Sequence, residues 1–87
     1  MQRIFKFISA DEPTRLPKDH EIVSWNFQHG QLTFWALVPD DYRIGKDDVY
    51  REFLILGTGQ RVQDDLTHRA TLFSNTFVWH VFEKGAS

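Results

Sequence analysis

Cysteine is absent from the 87 residues, which excludes disulfide staples, thiolate nucleophiles and every zinc site built with cysteine. No apolar run approaches the roughly 20 residues of a membrane-crossing helix. Met1-Gln2-Arg3-Ile4-Phe5-Lys6-Phe7 alternates charge with ring, where a secretion signal would carry an unbroken apolar stretch. The expected compartment is therefore the cytoplasm. Basic residues are not in excess: the net charge is −2 and the pI near 6.0, so no positive field draws a nucleic-acid backbone. Glycine and proline are too few, at 5 and 3, for collagen-like repetition or a low-complexity chain.

What the chain has is rings. Hydrophobic residues make up 41% and aromatic residues 15%, with three Trp and eight Phe, beside 25% charged residues. That is a globular balance enriched in aromatics, expected to fold as one domain over residues 1–84 with 85–87 as a flexible tail. A chain this short hides only about 60–65% of its unfolded surface, so added burial from a partner or a second copy would help it.

Apolar spacing follows a period of two. Val23, Trp25 and Phe27 alternate with polar residues, and after His29-Gly30 the alternation resumes through Leu32, Phe34, Ala36 and Val38. A two-residue loop there predicts a hairpin with Phe27 opposite Leu32, Trp25 opposite Phe34 and Val23 opposite Ala36. Its other face pairs Ile22 with Leu37, Ser24 with Trp35 and Asn26 with Thr33. Tyr50 to Leu56 is apolar on both faces and suits an interior strand. A second hairpin, Ala70–Phe73 with Thr76–Phe82 around Ser74-Asn75, pairs Leu72 with Phe77, Ala70 with Trp79 and Arg69 with His80, and its last strand is the candidate for a central position. Ile4–Ile8 adds one strand before Leu16-Pro17-Lys18-Asp19 turns the chain. Asp40–Asp48 and Gln60–Arg69 read as loops, the second with room for one helical turn. The expected fold class is all-β, about six antiparallel strands built from two hairpins and curled into a small barrel or half-sandwich.

No reaction centre emerges. Gly57-Thr58-Gly59 could let backbone amides approach an anion, with Arg61 nearby. It has no third glycine at Val62 and no Gly-Lys-Ser/Thr, so a plain tight turn is the cheaper account. Among four histidines, His20 and His29 fall at turns, and His68 and His80 approach one another across the second hairpin without further ligands, so no metal or cofactor is expected. Ser9, Ser24 and Ser74 lack a nucleophile elbow. Asp40-Asp41, Asp47-Asp48 and Asp64-Asp65 suit solvated loops and lack the spacing of a calcium loop. Trp35 and Leu37 point away from the main face of their hairpin and form an apolar patch unless the sheet curls over them.

Leu16-Pro17-Lys18, Trp35-Ala36-Leu37-Val38, Gly57-Thr58-Gly59 and Val78-Trp79-His80-Val81-Phe82-Glu83 together resemble a family of small uncharacterised proteins of bacteriophages and bacteria, from about Ile4 to Glu83. The chain departs from it in a longer loop at 40–49 and in Gln60, where that family often has histidine. The resemblance implies a phage or prophage setting, hence a host cytoplasm, and no reaction. The functional expectation is a small non-enzymatic binding protein that acts on a protein partner, as a modulator of a host protein or as a homodimer. The alternative is a small-ligand or nucleotide-sequestering protein that uses the Gly57–Arg61 turn with Trp79 or Trp35 as a stacking ring. The candidate binding residues are Trp35, Leu37, Gly57, Thr58, Gly59, Arg61, Trp79 and His80.

Overall fold

A computed structural model describes residues 1–10, 12–45 and 47–85. Asp11 and Lys46, in two of the predicted loops, and Ala86 and Ser87 of the predicted tail lie outside the described residues. The described chain contains no helix, so none is long and apolar enough to cross a membrane. It forms seven strands: β1 Gln2–Ser9, β2 Thr14–Pro17, β3 Glu21–Gln28, β4 Gln31–Pro39, β5 Asp48–Gly57, β6 Leu66–Ser74 and β7 Phe77–Lys84. They make two antiparallel sheets, ordered β1-β4-β3 and β2-β5-β7-β6.

The all-β class stands, with two corrections. There are seven strands where about six were expected, and no closed barrel forms among the described residues. The added strand is β2, where Leu16-Pro17 was read as part of a turn. A proline lacks the N–H of one ladder bond, but β2 is an edge strand and Pro17 ends it, so the missing donor is tolerated. The sequence loop at 60–69 also gives up Leu66–Arg69 to β6, whose apolar content was too sparse to announce a strand.

The chain divides into two compact units, residues 1–51 and 52–87. In the first, β4 is the centre of its sheet, paired with β1 from Ser9↔Leu32 to Gln2↔Pro39 and with β3 from Gln28↔Gln31 to Glu21↔Leu37. Leu32, Phe34, Ala36 and Val38 share one buried face of β4. Phe7 stacks on Phe34 at 5.4 Å between centroids, and Trp25 tilts against it at 5.0 Å. The turn follows from residue type: His29 and Gly30 both take positive φ, 52° and 75°, the pair of left-handed residues a type I′ hairpin requires.

Two of the predicted pairs, Val23 with Ala36 and Ile22 with Leu37, fail in this hairpin. Phe27↔Leu32, Trp25↔Phe34, Ser24↔Trp35 and Asn26↔Thr33 pair as expected, but a bulge at Val23 places Ile22 opposite Ala36 and Glu21 opposite Leu37. The bulge seats the larger Ile22 over the small Ala36 and leaves Val23 exposed.

Also in the first unit, β2 pairs with residues 48–51 of β5. His20, just after β2, joins two strands: its Nδ1 lies 2.7 Å from the Pro17 carbonyl and its Nε2 2.8 Å from Nη1 of Arg51. Asp48 carries a buried carboxylate whose Oδ2 accepts the Gly45 N–H at 2.7 Å and faces Arg15 at 3.7 Å. Burial pushes the Tyr42 phenol above its ordinary pKa, and the Asp48 charge adds to that against a smaller opposing effect of Arg15.

In the second unit β7 is central, between residues 52–57 of β5 and all of β6, as its two apolar faces suggested. The hairpin loop is Asn75-Thr76, not Ser74-Asn75, because Asn75 takes the left-handed conformation (φ 52°) that asparagine tolerates better than serine. The register moves accordingly: Leu72 pairs with Trp79, Ala70 with Val81 and Thr71 with His80, in place of Leu72–Phe77, Ala70–Trp79 and Arg69–His80. Arg69 is the extra residue of a bulge between His68 and Ala70.

Candidate functional site

The sequence-predicted residues separate into two places. Trp35 and Leu37 lie in the first unit on the outer face of β4, opposite to the buried row of Leu32, Phe34, Ala36 and Val38. Register puts Lys6 beside Trp35 and Ile4 beside Leu37 on β1, and Ser24 and Glu21 beside them on β3. Trp35 and Leu37 are half-buried, while Ile4 is 63% and Ile8 46% exposed. An apolar band therefore runs over β1 and β4, with Lys6 in its middle reaching Gln28 Oε1 at 3.4 Å. Ile4 and Ile8 were not singled out from the sequence, although their place on alternate positions of β1 was the available signal.

The other residues belong to the second unit. Gly57, Thr58, Gly59 and Gln60 form a turn closed by the Gln60 N–H donating to the Gly57 carbonyl at 3.2 Å. Gly59 takes φ 92°, which only glycine adopts freely at the third position of such a turn. The Gly57 N–H donates to the side-chain Oε1 of Gln60, so this amide is already committed within the turn. The Gln60 side chain thus folds back on the loop.

His80 stands above this turn. Its Nε2 lies 3.1 Å from Thr58 Oγ1, its Nδ1 lies 3.2 Å from Thr71 Oγ1, and that same hydroxyl lies 2.9 Å from His68 Nε2. Four side chains thereby form one hydrogen-bonded row from the turn across β7 to β6. The bulge at Arg69 makes it possible. In an unbroken strand His68 and Thr71 would point to opposite faces, and the extra residue brings His68 onto the face of Thr71 and His80. His68 and His80 then stand 6.3 Å apart between ring centroids, and His68 meets the edge of Phe82 at 5.4 Å. Among the described residues no group of three or more His, Cys, Asp or Glu is placed to hold a metal ion.

A groove of about 240 Å³ lies beside this row, lined by the turn from Gly57 to Gln60, by Leu56, Val62 and Phe82, and by His80. Trp79 is not in it. Its register partner is Gly57, and it lies on the face opposite to His80. Phe77 stacks on Trp79 at 5.8 Å, and Arg61 is exposed. The structure thus brings together Gly57, Thr58, Gly59 and His80, and places Trp79 on the other side of the strand.

The same bulge directs Arg69 to Glu83, Nε to Oε1 at 2.9 Å. Glu83 is only 6% exposed, so this ion pair compensates a buried carboxylate and is a structural device of the second unit.

A family model for a domain of unknown function, DUF7352, matches residues 1–87. The chain belongs to that family. No curated protein and no solved structure matches it. The family agrees with the uncharacterised kinship read from the motifs, and it assigns no reaction to the groove or to the apolar band.

Proposed function

We propose that the protein is a small non-enzymatic binding protein, encoded by a phage or prophage, that engages a protein partner in the bacterial cytoplasm through the outer face of its three-stranded sheet. The observation that carries this reading is the apolar band itself: exposed Ile4 stands beside half-buried Leu37 on the neighbouring strand, with half-buried Trp35 next along that face of β4 and exposed Ile8 diagonal to it. Indole and aliphatic groups side by side on a rigid sheet provide contact area with little rotamer entropy to lose. The phage setting rests on the resemblance alone.

The test compares wild type with a Trp35→Ala, Leu37→Ser double variant, each immobilised and exposed to bacterial lysate after its thermal melt shows it folded. A protein retained by wild type and lost by the folded variant supports the reading. Equal retention by both, or none by either, overturns it.

A second reading is favoured by the groove, where the Thr58 and His80 polar groups meet the apolar walls of Leu56, Val62 and Phe82. There the protein would hold a small ligand such as a nucleotide, with Phe82 taking the ring contact assigned to Trp79 or Trp35 from the sequence. A melting temperature that rises with added nucleotide supports it, and a flat response across the series removes it.

A further inference from the structure

Among the described residues the two sheets present four edges, β1 and β3 in one, β2 and β6 in the other. Three carry features that hinder pairing with another chain. β3 has the bulge at Val23, β6 has the bulge at Arg69, and β2 is four residues long and ends in Pro17. β1 has none of these: its eight residues pair with β4 in unbroken register and contain no proline. Nor does β2 cap it. An open groove of about 400 Å³ is bounded by Phe7 and Ile8 on one side and by Thr14, Arg15 and Tyr50 on the other.

β1 also reads the same in both directions about Lys6: Ile4-Phe5-Lys6-Phe7-Ile8. An antiparallel pairing of this strand with itself, centred on Lys6, sets Ile4 against Ile8 of the second copy and Phe5 against Phe7 of the second copy. Every opposed pair then falls on one face, as register demands. The two lysines on the axis would oppose this if both ammonium groups sat at the seam. They do not, because Lys6 leans over β4 to Gln28 Oε1. The other cation of the strand is likewise tied within its own copy, Arg3 Nε to Asp40 Oδ1 at 2.7 Å.

We propose that a second copy of this chain is the occupant of the β1 edge, joined about a two-fold axis at Lys6 so that two three-stranded sheets become one of six strands. The contact is isologous, which closes the assembly at a dimer. The strands join through the backbone of the β1 edge, and Ile4 and Ile8, which also belong to the proposed partner surface, become cross-strand pairs, so the dimer doubles the area of that band.

The experiment measures mass by light scattering over a range of concentrations for the full chain and two double variants at exposed positions. Wild type should have twice the chain mass. Ile4→Lys with Ile8→Lys sets lysine against lysine in this register and should give the single-chain mass. Ile4→Lys with Ile8→Glu sets opposite charges against each other and should restore the doubled mass. Circular dichroism confirms that each variant is folded. A wild type that stays at the single-chain mass, or two folded variants of equal mass, overturns the proposal. Lysate retention by a wild type that is monomeric would leave the partner reading standing and this one lost, and the reverse pattern would separate them the other way.

Discussion

The two hairpins were equally legible as alternating apolar runs, yet they use that pattern differently. β4 buries its whole inner row, with Phe34 held between Phe7 and Trp25. The β6–β7 hairpin buries Val81 but leaves Phe73 80% and Phe77 62% exposed near its tip, and its other buried β7 side chain is a carboxylate, Glu83. Alternation decides which residues share a face. It does not decide how deeply that face is covered, because coverage depends on side chains from other strands.

This contrast can be broken at the first hairpin. Phe34→Ala should cost about 3 to 5 kcal/mol, since it removes a fully buried ring with two aromatic neighbours. Equilibrium urea unfolding measures it, and a loss below about 1 kcal/mol would contradict so central a place. The matching test in the second hairpin is polar. Arg69→Ala should cost about 2 to 3 kcal/mol, less than a fully buried pair because Arg69 is one-third exposed, and the same urea unfolding measures it.

The tips give a smaller pair of effects. Gly30→Ala forces a Cβ into the left-handed region, where no neighbouring atom crowds it, so the cost is conformational and about 1 kcal/mol. Phe73→Ser, near the tip of the other hairpin, should change stability by less than about 0.5 kcal/mol.

The smallest expected effect is one of pH. The Tyr42 pKa is raised on folding, so the folded chain holds that proton more tightly than the unfolded chain does. Its contribution is fully present below the ordinary value of 10.0 and is lost as pH rises through the higher folded value. Urea midpoints should therefore fall more steeply above pH 10 in wild type than in Tyr42→Phe, and parallel curves would remove the effect.

The sequence disclosed most of the fold because its signals were local. His29-Gly30 has the residue types of a type I′ turn, and four of the six pairs predicted from it are present. Ser74-Asn75-Thr76 offered two nearly equivalent loops, and a choice wrong by one residue displaced every pair of the second hairpin while keeping its faces. Bulges were invisible, since no residue type marks Val23 or Arg69 as extra. That also limited the site. The histidine row exists because one bulge turns His68 to the side of Thr71, and the separation of Trp79 from His80 followed from simple alternation that the motif Val78-Trp79-His80 tends to obscure.

The contact between Arg51 and His20 has a chemical consequence of its own. A guanidinium has no lone pair to offer, so Nε2 of His20 must receive the hydrogen bond and the imidazole proton resides on Nδ1, donated to the Pro17 carbonyl. The ring is thereby frozen in a single tautomer, the rarer of the two in free histidine. Its nitrogen resonances would carry that signature as a reporter of whether the segment between β2 and β3 is in place.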